Sequence, residues 1–282
     1  MTSISTLLKG FTRPLDLLAV QQQTPAAGKL LASYLGIGSP EFPFDIGLRD
    51  GGLIRVFSRG EAKVFWAIFI RGCYRLWDDC RSIVDAGANI GLFSLWAAKR
   101  LPQVRIHALE PYPETFARLQ HNLGVNQLGS RVQALQLALA AQSGEREMRT
   151  EGESQLRSLV PSDRPGAEEK TVKVRAITVA DLMNRYQLDE IDLLKMDIEG
   201  SEWEVLLSTP ASVLRRIRRI QFEYHEVHAR FGYSKTALLK HLGSAGLNLT
   251  HDQEDRHGTG VAIVEQATCG RPDWMSRRQW KI

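Results

Sequence analysis

Three stretches of the chain put carboxylates, glycines and a histidine where strands give way to turns. In VDAGANIGLF (84–93), Asp85 ends an apolar run and Gly87-Ala88-Asn89-Ile90-Gly91 follows it. Glycines at such a turn remove Cβ atoms, so a ligand can lie against the backbone, and the helix that follows offers unpaired N–H groups. VRIHALEP (104–111) ends in Glu110, 23 residues after Gly87. That is close to the spacing at which an acid on a second strand accepts both hydroxyl protons of a ribose. Alone, a glycine turn merely bends a chain and a strand-end Glu is merely exposed; together they point to a nucleoside.

The turn is G-x-N-x-G and lacks the G-x-G-x-x-G spacing of pyrophosphate binders. It suits a nucleoside ligand without a diphosphate, of which S-adenosylmethionine is the commonest, and it disfavours an NAD-dependent oxidoreductase. The other half of the chemistry lies in IDLLKMDIEG (191–200) and RIQFEYHE (219–226). Side chains alternate along a strand, so Lys195 and Asp197 share one face, as do Glu223 and His225. With the two strands in step, Lys195 would lie beside Glu223 as a structural ion pair, and Asp197 beside His225 nearer the mouth. Attack by an alcohol is helped by a general base or by a metal that acidifies the hydroxyl. His225, oriented by Asp197 or Glu226, suits the first role. Asp197, Glu199, Glu223 and His225 could instead hold a divalent cation; the base is the favoured reading.

The elements that must position these groups alternate. Ile83 and Val84 read as a buried strand, and Leu92, Phe93, Leu95 and Trp96 as one broad helix face. PETFARLQHNLGVN (113–126) starts a helix at Pro113 and ends it near Gly124. Strands are expected at 104–111, 131–140, 191–200 and 219–226, with a helix from Ser201, a plausible N-cap. LNLTHDQEDRHGTGVAIVEQ (247–266) reads as a closing antiparallel pair. EAKVFWAIFIRGCYRLW (61–77) reads as an apolar helix whose Phe65, Trp66, Phe69 and Ile70 are core, and RDGG (49–52) as a hairpin turn. The sum is an α/β fold with a doubly wound, mostly parallel seven-stranded sheet. It divides into an N-terminal helical and hairpin extension (1–60, a lid or a dimer contact), a nucleoside-binding domain (61–268) and a basic tail (269–282).

Composition is that of an ordinary globular chain: 282 residues, 43% hydrophobic and 24% charged. The 36 cations against 32 anions give +4, too small a bias to imply nucleic acid, and no N/D-P-P-Y/F run marks a base methylase. RRIRR (215–219) reads as a solvated face. Cys73, Cys80 and Cys269 have neither the number nor the spacing of a zinc site or disulfide framework. Lys9, Arg13 and Asp16 interrupt the N-terminal apolar run, so no membrane span is expected and the cytoplasm is the expected compartment.

DAGANIG (85–91), ALEPYPETFARLQHN (108–122), LLKMDIEGSEWEVL (193–206) and QFEYHE (221–226) together resemble the FkbM family of S-adenosylmethionine-dependent methyltransferases, over roughly residues 60–265. The resemblance implies a Rossmann-like class I methyltransferase domain and O-methylation of a hydroxyl on a natural product, sugar or glycan. By position it implies that Asp85, Gly87, Asn89 and Gly91 line the methionine end of the cofactor, that Glu110 binds the ribose, and that Ala138 edges the adenine. Asp197 would serve both cofactor and catalysis, beside Glu223 and His225. A protein that kept the fold and lost activity is the alternative, though it would need none of these residues.

Overall fold

Ile83 and Val84 form the middle of β3 (Ser82–Ala86), from which the main sheet is laid out in both directions. The protein is described here from a computed structural model, over residues 14–38, 41–150, 159, 170–224, 232–254 and 259–267. On one side of β3 lie β4 (Arg105–Leu109) and β5 (Val132–Leu135); on the other lie β9 (Leu193–Met196) and β10 (Arg219–Tyr224), all parallel. β12 (Gly260–Gln266) and β11 (Leu247–Glu254) close that edge antiparallel, giving seven strands in the order β11-β12-β10-β9-β3-β4-β5. This is the doubly wound α/β sheet expected. Its strand order reverses between β3 and β9, so the carboxyl ends of these two strands flank the crevice where such folds bind ligands.

Alternate residues of β3 face different cores. Ile83 joins an apolar cluster with Leu95, Leu119 and Leu193, whereas Val84 joins one with Leu182, Trp203 and Leu238. The helices Leu92–Arg100 and Pro113–Val125 contribute to the first cluster, and Val179–Arg185, Glu202–Ser208 and Lys235–Ser244 to the second.

The run 131–140 is not one strand. After Leu135 the chain turns, with Leu137 N donating to Leu135 O at 2.9 Å. Leu135 ends the edge strand, and β6 (Ala138–Leu139) pairs instead with β8 (Thr171–Ile177), which also pairs antiparallel with β7 (Gly144–Arg149). The expected helix over 61–77 is shorter too: Arg59–Phe65, capped by Ser58 Oγ, followed by a wider turn over Trp66–Ile70. Gly72, at φ +62°, ends it, and Tyr74 and Trp77 then plug into the core from an irregular segment. The aromatic residues do pack, with Phe65 and Phe69 stacked at 4.5 Å and Trp66 on Tyr34 at 4.6 Å.

Ahead of these, the helices Pro14–Gln23 and Ala27–Leu35 lead into a hairpin of β1 (Phe44–Gly47) and β2 (Leu53–Val56) that turns through Gly51 and Gly52. Asn122, on the helix Pro113–Val125, and Asn126, its C-cap, bind the hairpin backbone like a third strand. Their Oδ1 atoms accept from Arg55 N at 2.9 Å and Leu53 N at 3.0 Å. Asn122 Nδ2 also donates to Ile90 O at 3.0 Å, which connects the hairpin to the glycine turn. Among the described residues no helix is long and apolar enough to cross a membrane.

Only part of RRIRR is a solvated face: Arg215 is exposed, but the end that enters β10 turns inward. Arg219 is buried and donates to Asp79 Oδ1 and Oδ2 at 2.9 and 3.0 Å, and Arg218 reaches Asp79 at 2.8 Å and Asp192 at 2.9 Å. The hydrophobic strand between two turns carries its cations inward because acids wait there. Partial burial would raise the Asp79 carboxyl, but the two guanidiniums outweigh it and hold it below the usual value of 3.8. A depressed carboxylate contributes stability above its unfolded pKa and loses that contribution as pH falls through the folded value. Denaturant melts should therefore show Asp79→Asn less stable by about 1 kcal/mol at pH 6, a modest figure because the acid is half exposed, and the gap should shrink as the pH falls below the usual carboxylate value. A gap that stays equal across that range would mean that the ion pairs do not supply it.

Candidate active site

The crevice is built from four strand tips. At the end of β3 the backbone turns left-handed at Gly87 (φ +74°), Asn89 (φ +51°) and Gly91 (φ +89°). The bareness of the two glycines has an internal cause. A Cβ on Gly87 would sit 1.9 Å from Asp197 O, and one on Gly91 would sit 2.6 Å from Leu119 Cδ1. Gly87 thus lets the tip of β9 close against the tip of β3, where Asp197 N donates to Ala86 O at 3.1 Å.

At the end of β4, Glu110 is buried and oriented by backbone amides. Its Oε2 accepts from Asn89 N and its Oε1 from Tyr112 N, each at 3.0 Å. The carboxylate and the glycine turn are therefore set in one geometry, which fits a ligand that must touch both. Tyr112 packs on the small apolar cluster that contains Ala138, opposite Ala176 in the three-stranded sheet. This places Ala138 next to the Glu110 tip.

Asp85 lies beneath the turn. It is fully buried, accepts from Ser94 Oγ at 2.7 Å and pairs with Lys195 Nζ at 3.0 Å. Strand pairing dictates this, since Asp85 and Lys195 are direct partners across β3 and β9. Burial works against the Lys195 charge, but Asp85, Asp197 and Glu223 outweigh it, and the ammonium's pKa is raised. The expected Lys195–Glu223 pairing is displaced, because Lys195 stands opposite Gln221 in the register of β9 and β10. The register runs on to Phe222 opposite Met196, the residues that immediately precede Glu223 and Asp197. His225, Glu226 and His228 lie outside the described residues.

Asp197 receives a group that the sequence did not announce. Tyr74 OH donates to Asp197 Oδ2 at 3.1 Å, its ring edge-on to Phe93 at 5.2 Å and 5.5 Å from Lys195 Nζ. Burial, then the charge of Asp197, pushes the phenol well above its ordinary pKa, so it stays a donor. The neighbouring Cys73 thiol is likewise pushed up, by burial first and then by Glu223 and Asp197. It is no nucleophile at neutral pH. The turn after Asp197 is left-handed at Glu199 and Gly200 (φ +54° and +103°). Glu202 holds it by accepting Ile198 N and Gly200 N, each at 2.9 Å. Ser201 occupies the N-cap position but makes no capping bond; the buried carboxylate next to it takes the amides instead. Among the described residues no three His, Cys, Asp or Glu side chains come together to hold a metal ion.

This arrangement of glycine turn, second-strand acid and D-I-E-G tip falls inside residues 85–251, which match the family described as the methyltransferase FkbM domain. The chain belongs to the FkbM methyltransferase family. It is 32% identical over 202 residues to methyltransferase sdnD of Sordaria araneosa, covering 60% of this chain and 77% of that one. It is 30% identical to methyltransferase 1 of Beauveria bassiana, covering 73% and 82%. With 31-O-demethyl-FK506 methyltransferase FkbM of Streptomyces tacrolimicus it shares 28% identity, covering 70% and 86%. Tyr74 precedes the span matched to the FkbM family. A lone tyrosine inside a run that reads as an apolar helix gives no sign of a site, whereas Glu202 stands in the sequence as the third acid of D-I-E-G-x-E at a helix start.

Proposed function

We propose that this FkbM-family methyltransferase moves the methyl group of S-adenosylmethionine to a hydroxyl of a small natural product, sugar or glycan. The observation that carries the reading is the bond between Asn89 N and Glu110 Oε2, which makes the turn and the ribose-seeking carboxylate one unit. The turn 87–91 takes the methionine end, Glu110 the ribose hydroxyls, and Ala138 the edge of the adenine. When bound, the cofactor supplies an electrophilic methyl on a sulfonium. The protein's part is to hold sulfur, methyl and acceptor oxygen in line, which supplies much of the acceleration in such transfers. Asp197, with one oxygen fixed by Tyr74, is assigned to the acceptor side, and His225 is assigned the role of general base. A hydroxyl acceptor is supported by the Streptomyces relative, whose name describes a 31-O-demethyl substrate.

Titration calorimetry with S-adenosylhomocysteine tests the reading. The wild type should bind it, and Glu110→Ala should bind it about 5- to 150-fold more weakly, the range for losing a charged hydrogen-bonding partner. Equal affinity in the variant, or a preference for NAD, would overturn the assignment.

A further inference from the structure

Lys195 is sealed inside the protein, with 4% of its side chain exposed, and it does more than neutralise Asp85. Its ammonium also donates to Gly87 O at 3.0 Å and lies 3.4 Å from Ala86 O. The peptide that begins with the Gly87 carbonyl ends in Ala88 N–H, which donates to Leu109 O at 2.9 Å. The next amide, Asn89 N–H, donates to Glu110 Oε2 at 3.0 Å. These bonds run across the tips of three strands, from β9 through the turn after β3 to the end of β4. A cationic donor on a carbonyl polarises the whole peptide, which strengthens the bond made by its N–H.

We propose that Lys195 is a positioning residue for cofactor binding, holding the Gly87–Asn89 turn from beneath and, through it, the Glu110 carboxylate on the ribose side. The proposal rests on the reading of Glu110 as the ribose acceptor. A buried ion pair alone is weak grounds for retaining two charges, because an apolar pair of similar volume fills such a space with equal or better stability. An apolar pair cannot hold the Gly87 carbonyl. Three donors on one ammonium can serve a carboxylate and a carbonyl together, and the register that sets Lys195 directly opposite Asp85 delivers it there.

The test compares Asp85→Asn with Asp85→Asn/Lys195→Met. Asparagine still accepts from Ser94, Asp197 and Glu223 still offset the Lys195 ammonium in the single variant, and the double variant removes both members of the Asp85–Lys195 pair together, so both should fold. The probes are adenosine, which reaches only the ribose and adenine subsites, and S-adenosylhomocysteine. The double variant should bind both about 10-fold more weakly than Asp85→Asn, and the amides of Ala88 and Asn89 should exchange with solvent about 10-fold faster. If the two variants bind adenosine equally and exchange alike, Lys195 serves only to neutralise Asp85. If affinity falls for S-adenosylhomocysteine but not for adenosine, Lys195 acts at the methionine end and the route through Glu110 is wrong. If the wild type binds neither probe, the cofactor reading falls. Amide exchange then decides whether Lys195 holds the turn.

Discussion

Gly87→Ala is expected to lower the melting temperature by roughly 5–15 °C, from about 2–5 kcal/mol of combined backbone strain and overpacking. Two independent costs meet at this position. The backbone is at φ +74°, where an L side chain is strained, and the added Cβ would fall 1.9 Å from a backbone oxygen, Asp197 O. A flexible side chain could swing aside, but Asp197 is fixed by its own amide on Ala86 O and by Tyr74 on its carboxylate. Relief would have to come from parting β3 and β9, whose tips frame the crevice. Gly124 supplies the control, since it sits in the helix Pro113–Val125 with nothing within 4 Å of a new Cβ. Gly124→Ala should leave the melting temperature unchanged or raise it slightly. Thermal unfolding followed by circular dichroism reads both, and a Gly87→Ala protein as stable as the wild type would contradict the closeness of the two tips.

The parts of the site that could be read in sequence are those whose residues are neighbours along the chain or bear a fixed offset within a βαβ unit. Glu110 was legible because the helix Leu92–Arg100 and its two connections impose a nearly constant separation between the first two strand tips. The doubly wound sheet followed from strands alternating with helices. What could not be read depended on register and on irregular backbone. Lys195 and Glu223 alternate as expected on their own strands. Yet whether they meet is set by how far β10 slides against β9, and a shift of two residues preserves every facing while changing every partner. Residues 131–140 look like one apolar strand because hydrophobicity does not record which sheet a strand joins. RRIRR looks like a solvated face because nothing local reveals that Asp79 and Asp192 lie opposite it. Tyr74 escaped because 61–77 reads as one apolar helix, whereas the helical run stops at Ile70 and Tyr74 takes its position from the aromatic core it fills.

His225→Ala is expected to reduce methyl transfer about 10²- to 10⁴-fold, the usual cost of losing a general base, with S-adenosylhomocysteine affinity nearly unchanged. His225 directly follows Tyr224, the last residue of β10, the strand end to which we assign the acceptor. An imidazole accepts a proton near neutrality without a large pKa shift, having an unperturbed value of about 6.5. Because the base must be neutral to act, the wild-type rate should fall as pH drops through that range, and the variant should lose this limb. Transfer from labelled S-adenosylmethionine to acceptors drawn from a panel of hydroxylated small molecules and glycans would measure both. Glu223→Gln is the informative companion, because Glu223 and Asp197 each follow directly on the last paired residues of their strands, Phe222 and Met196. If that variant loses turnover while His225→Ala keeps it, the proton leaves to a carboxylate and the histidine is a bystander. Chelation separates the remaining possibility: activity abolished by EDTA and restored by Mg²⁺ or Mn²⁺ would recast Asp197, Glu223 and His225 as ligands that acidify a metal-bound hydroxyl. Activity indifferent to EDTA leaves the imidazole as the group that takes the proton.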